Sequence, residues 1–114
     1  MDYTVEQLKD ILNEAQQEGN RAASEFFQNK LNGQDRYPCG FAWVEVYGVK
    51  GNTKLGRNMK AAGFGHSDYK KCYEIRGVTG LRCQNVDVNE VGATAAAKVL
   101  EKYGFRAYST SRLD

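Results

Sequence analysis

A chain of 114 residues, 41% hydrophobic and 26% charged, has the size and make-up of one ordinary globular domain. Sixteen Lys and Arg against 14 Asp and Glu leave a net charge of +2, which excludes a histone-like polycation and an acidic DNA mimic alike. No apolar run approaches the ~20 residues of a membrane span, and Met1-Asp2-Tyr3-Thr4 lacks the basic and apolar regions of a secretory signal, so a cytoplasmic protein with no membrane partner is expected.

Residues 4–31 predict one long amphipathic helix. Thr4 and Gln7 have the spacing of a capping box. Leu8, Ile11, Leu12, Ala15, Ala22, Ala23, Phe26, Phe27 and Leu31 recur at three- and four-residue steps. Gly19-Asn20 interrupts the stripe and Asn32-Gly33 ends it. Such a helix would span roughly 40 Å, more than the width of a domain this size. Part of it must overhang, bend or pack on a second chain. Residues 1–33 are therefore assigned to packing or oligomerisation, and a homodimer through this helix is expected. A polar connector with the only proline follows, and residues 38–114 form the core domain.

Phe41 to Val49 reads as a strand. Ala42, Val44 and Val46 point one way; Phe41, Trp43, Glu45 and Tyr47 point the other. A turn at Gly48-Val49-Lys50-Gly51 leads to a helix capped by Asn52 or Thr53 and ended by Gly63. Gly65-His66-Ser67-Asp68 is turn-like, which places the single His at the surface. Tyr69 to Arg76 is a second strand, and Leu81 to Val86 a short third strand or an extended loop. Asp87 or Asn89 caps an alanine-rich helix ending at Tyr103-Gly104. Phe105 to Thr110 is the last strand, with Arg106 and Tyr108 on one side. The fold class is α+β: an N-terminal long helix, then a ferredoxin-like β-α-β-(β)-α-β sheet with helices on one face. The aromatic face of that sheet needs a cover, for which the N-terminal helix, a second subunit and a ligand are the candidates.

Cys39-Gly40-Phe41-Ala42-Trp43-Val44, then Gly51-Asn52, Gln84 before the alanine-rich helix, Gly104-Phe105-Arg106-Ala107-Tyr108 and the terminal Ser111-Arg112-Leu113-Asp114 together resemble a family of small proteins encoded by tailed bacteriophages. The resemblance covers roughly residues 38–114. The chain departs from that pattern at Asn85, where the family commonly has Ser, and at Tyr73-Glu74-Ile75, where it commonly has a Trp. The resemblance implies a phage accessory protein acting in the cytoplasm of a bacterial host. It brings no activity with it.

In a ferredoxin-like sheet the end of the last strand lies beside the start of the first. Phe41, Trp43, Gln84, Asn85, Ser111 and Arg112 would then gather at one edge, where rings, amides, a hydroxyl and a guanidinium can grip a planar or phosphate-bearing group. Alternatively Arg112 pairs with Asp114 or Glu90, and Gln84 and Asn85 are turn and cap residues. A weaker anion-binding candidate is Lys50, Asn52, Thr53 and Lys54 at a helix N-terminus; the plainer reading is a capped helix with solvated lysines. The loop is not a P-loop. Cys39, Cys72 and Cys83 make no C-x-x-C pair, and no nucleophile-base motif is present, so neither a metal, a cofactor nor an enzyme is expected. The function expected is non-catalytic binding of a nucleotide-like or phosphate-bearing ligand, a host signal or nucleic acid, in host takeover or counter-defence. Glu45 between Trp43 and Tyr47, and the lack of an RNP motif, speak against an RNA-recognition module. The alternatives are an interaction module that inhibits a host protein, or a homo-oligomeric structural component.

Overall fold

Thr4 and Gln7 close the capping box reciprocally. The Gln7 N–H donates to Thr4 Oγ1 at 3.1 Å and the Thr4 N–H to Gln7 Oε1 at 2.9 Å. From this cap runs α1 (Val5–Lys30), followed by β1 (Gly40–Tyr47), α2 (Lys54–Ala62), β2 (Gly65–Ser67), β3 (Cys72–Ile75), α3 (Val86–Lys102) and β4 (Arg106–Leu113). This is a computed structural model that describes residues 2–30, 40–77 and 86–113.

The four strands form one sheet in the order β2-β3-β1-β4, every neighbouring pair antiparallel. Each of the two β-α-β units holds a strand of the other between its own pair, the split arrangement of a ferredoxin-like sheet. The sequence reading has no strand at Gly65–Ser67; there β2 precedes the middle strand and forms the hairpin β2–β3 with it. Three residues are too few for alternation to show. Of the strand expected over 81–86, Val86 is the first residue of α3, and 81–85 lie outside the described residues. The last strand is longer than expected. It runs through Ser111 and Arg112 because β4 pairs β1 along its whole length, from Tyr47↔Arg106 to Gly40↔Leu113.

All three helices serve one core. Val44, Val46, Tyr73, Ile75 and Ala107 of the sheet join Met59 and Ala62 of α2, the alanines and Leu100 of α3, and Leu8, Ile11 and Ala15 of α1. Small residues bring α3 close to β1: a Cβ at Gly40 would stand 2.7 Å from Val86 Cβ and 2.8 Å from the Arg112 carbonyl oxygen, so only glycine fits. The Asn89 side chain, expected as a cap, instead donates to the Gly40 carbonyl at 2.9 Å and ties α3 to the start of β1.

The N-terminal helix runs antiparallel to α3. Tyr3 donates to the Tyr103 carbonyl at 2.7 Å, and Glu14 accepts from both Lys102 and Tyr103. A rod of roughly 39 Å fits only the longest of the molecule's dimensions, 44 × 26 × 18 Å. Its packing on α2 and α3 puts it on the helix side of the sheet. It is therefore not the cover of the opposite face.

Candidate functional site

Alternation and register decide what the helix-free face presents. On β1 it carries Phe41, Trp43, Glu45 and Tyr47. Across from them on β4 stand Arg112, Thr110, Tyr108 and Arg106, in that order. On the other side Glu45 pairs with Glu74 of β3, which puts Cys72 and Glu74 on this face as well. Among the described residues no helix lies over it. Phe41 and Tyr108 remain 49% and 53% exposed.

Glu45 is the hub. It is 5% exposed, the only charged residue buried among those described. Its carboxylate accepts from Trp43 Nε1 at 3.0 Å, from the Tyr47 hydroxyl at 2.8 Å and from Lys70 Nζ at 2.8 Å. Burial by itself pushes this carboxyl up; the hydrogen bonds from Lys70, Trp43 and Tyr47 outweigh it and hold the group at about 2. The same bond to Glu45, aided by burial, pushes the Tyr47 phenol up to about 12. Glu45 is thus ionised and internally neutralised at any ordinary pH.

Cations lie over the rings. The Arg76 guanidinium sits 4.4 Å from the centre of the Trp43 ring, with Lys70 Nζ at 5.6 Å. Arg112 sits 5.9 Å from the Phe41 ring. Arg76 also pairs with Glu74 at 3.5 Å. These side chains, with Ser67, line an open cavity of about 530 Å³. A larger cavity, about 870 Å³, is a groove between α1 and α3 lined in part by Ala22, Phe26, Val91 and Ala95. Charged side chains, among them Glu14, Glu18, Arg21, Glu90 and Lys98, line the rest of it.

Of the predicted ligand residues, the structure brings Phe41, Trp43 and Arg112 together. Ser111 is a correction. Neighbouring strand residues point to opposite faces, so Ser111 turns to the helices and donates to Glu90 Oε1 at 2.6 Å. Gln84 and Asn85 lie outside the described residues. Sequence reasoning missed Lys70 and Arg76 as site residues, and treated Glu45 as an obstacle. For Glu45 the signal was a shared parity, since it lies two residues from both Trp43 and Tyr47.

At the second candidate the plainer reading, a capped helix, is what the structure shows. Thr53 is the N-cap of α2: Gly56 N–H donates to its Oγ1 at 3.1 Å, and its own hydroxyl donates to the Lys50 carbonyl at 2.6 Å. Asn52 offers its carbonyl to Arg57 at 2.9 Å, and Asn52 and Lys54 are exposed. Lys50 instead borders a cavity shared with Gly51, His66, Asp68 and Lys71. His66 is also a correction: it lies on β2, half-buried, with its ring edge-on to Tyr73 at 4.8 Å.

Glu45, Cys72 and Glu74 present ligand atoms within 4.8 Å of one another. Two of the three are already committed. Glu45 already takes three donors. Burial, reinforced by the Glu45 charge, pushes the Cys72 thiol up and keeps its proton on. No described helix is long and apolar enough to cross a membrane. No family model, curated protein or solved structure matches the chain.

Proposed function

We propose that the open sheet face is a non-catalytic binding site for a planar, phosphate-bearing ligand, a nucleotide either free or within a nucleic-acid strand. One observation carries this reading: exposed rings alternate with cations across a face that no described element covers. Phe41 and Tyr108 are the accessible platforms. Bases stack on such rings at about 1–3 kcal/mol each, whatever their identity. Arg76 is already stacked on Trp43, and Arg112 is held over Phe41, so both guanidinium forks are pre-organised for phosphate oxygens. Glu45 does not repel that phosphate, because Lys70 neutralises it from within.

Among the described residues the face offers no poised base or nucleophile. Glu45 is held at about 2 by three donors, and the Cys72 thiol is pushed up. This favours binding over turnover. The resemblance to tailed-phage proteins supplies the setting: an accessory protein in the bacterial cytoplasm that sequesters a host nucleotide signal or manages nucleic acid during takeover or counter-defence. The test is native mass spectrometry of the protein purified from a bacterial host. A retained nucleotide mass that is lost in Arg112→Ala supports the reading; a protein with no retained nucleotide that also binds none when nucleotides are added opposes it.

A second reading rests on the groove between α1 and α3. Its apolar lining is flanked by charged residues, among them Glu18, Arg21 and Lys98, and it would suit a second copy or a host polypeptide. Sedimentation showing a 12.8 kDa monomer at high concentration, with no host chain retained, removes it.

A further inference from the structure

On the helix side of the sheet, away from the proposed nucleotide face, three polar atoms converge on one glycine. A Cβ placed on Gly51 would stand 3.3 Å from Lys60 Nζ, 3.7 Å from His66 Nε2 and 3.8 Å from the Tyr73 hydroxyl. The three groups come from α2, β2 and β3, so their meeting is a product of the fold and not of one loop. Gly51 and His66 also line a cavity of about 540 Å³, whose other walls include Lys50 and Lys71. Two lysines and His66 thus share this cavity with one carboxylate, Asp68.

Two features show that the cluster is not an ordinary helix cap. Tyr73 is fully buried, yet its hydroxyl has no hydrogen-bond partner among the described residues. A buried donor is normally satisfied. This one sits against Gly51 and Gly56, beneath the first turn of α2. Secondly, His66 is oriented from outside. Its Nδ1 lies 2.9 Å from Asp68 Oδ1, and a carboxylate can only accept, so Nδ1 carries the proton and Nε2 is turned toward Gly51.

We infer that this cradle is a phosphate-binding site, formed by Lys60, His66, the Tyr73 hydroxyl and the Gly51 backbone, with Lys50 and Lys71 at its mouth. Lys60 supplies charge and donors, and Tyr73 a donor with no other use. His66 adds selectivity. With Nδ1–H committed to Asp68, Nε2 is the ring atom that meets the anion, and where it carries no proton it accepts from the P–OH of hydrogen phosphate. Sulfate carries no such proton. Glycine at 51 turns bare backbone to the three polar atoms, and a Cβ there would stand among them. The site is independent of the sheet-face reading, because His66 and Tyr73 lie on the opposite side of the sheet from Trp43 and Arg112.

His66 is the only histidine, so its ring gives a single set of NMR signals. The experiment is titration of the protein with inorganic phosphate against chloride at constant ionic strength, reading the His66 ring proton and nitrogen shifts. A saturable change is expected, with sulfate weaker than phosphate. Lys60→Ala, an exposed position, is expected to weaken it about tenfold, as does the loss of a charge-assisted bond. Gly51→Ala, which meets only the mobile end of Lys60 closely, is expected to abolish it without unfolding the chain. Tyr73→Phe is expected to weaken it. Methyl phosphate in a parallel arm identifies the source: equal binding points to the end group of a larger ligand, and failure to bind points to the free ion. A linear, unsaturable response to phosphate overturns the proposal, and so does a saturable one that Lys60→Ala and Gly51→Ala leave unchanged. Equal binding of sulfate overturns the role given to His66.

Discussion

Replacing Glu45 by Gln tests whether the sheet face is organised around a buried charge. The substitution keeps the shape and removes the ion. Gln can still accept from Trp43 or Tyr47, but its amide meets the Lys70 ammonium with no charge to hold it. A carboxyl that titrates at about 2 in the folded chain and 4.5 otherwise stabilises the fold by at most about 3.4 kcal/mol. Lys70 is 42% exposed, and solvent screening of the pair leaves about half of that, roughly 1.7 kcal/mol. For a domain of this length 1 kcal/mol moves Tm by about 4 °C, so Glu45→Gln should lower Tm by about 7 °C at pH 7. The sign follows from a depressed folded value. The contribution is fully present above 4.5 and is lost as the pH falls through about 2. The gap between wild type and variant should therefore shrink to less than half by pH 3. Thermal unfolding followed by circular dichroism at both pH values is the assay. A fall of under about 2 °C at pH 7, or a gap that is the same at both pH values, would refute the reasoning.

Phe41→Ala and Arg112→Ala should each weaken binding of a single-stranded oligonucleotide about tenfold, and Arg112→Ala should reduce the salt slope by about one, measured by fluorescence anisotropy. Ser111→Ala should leave that affinity unchanged, since its hydroxyl is engaged with Glu90 on the other side of the sheet. Gly56→Ala should cost about 3 kcal/mol in urea unfolding, because its Cβ would stand 2.3 Å from the Lys50 carbonyl oxygen and 2.6 Å from the Tyr73 hydroxyl. Tyr73→Phe should leave stability unchanged or raise it by up to about 1 kcal/mol, since it removes a buried hydroxyl that has no partner.

The parts of the fold that rest on local rules were legible in the sequence. The Thr4–Gln7 box, the Thr53 cap and the Gly63 stop are short-range chemistry, and the structure shows each of them. Alternation over 41–47 placed Phe41 and Trp43 on one face and Val44 and Val46 in the core. Applied one turn of the pattern further along the last strand, it separates Ser111 from Arg112. The segment lies past the expected end of the strand at Thr110, because nothing local says that pairing with Gly40–Tyr47 continues to Leu113. Lys70 was beyond reach for a different reason. It sits in the turn between β2 and β3 and reaches Glu45 across 25 residues of sequence. The side of the sheet that α1 occupies was equally hidden, because an apolar stripe shows that a helix is covered and not what covers it.

The measurement that tests the central claim most directly is a fluorescence titration of Trp43, the only tryptophan in the chain and the ring beneath Arg76 and Lys70. Single-stranded oligonucleotides and mononucleotides are added to the wild type and to the double variant Phe41→Ala, Arg112→Ala. Wild-type emission should show a saturable change that weakens with salt and is lost in the variant. Emission that no nucleotide alters, or that responds equally in the variant, would contradict the central claim.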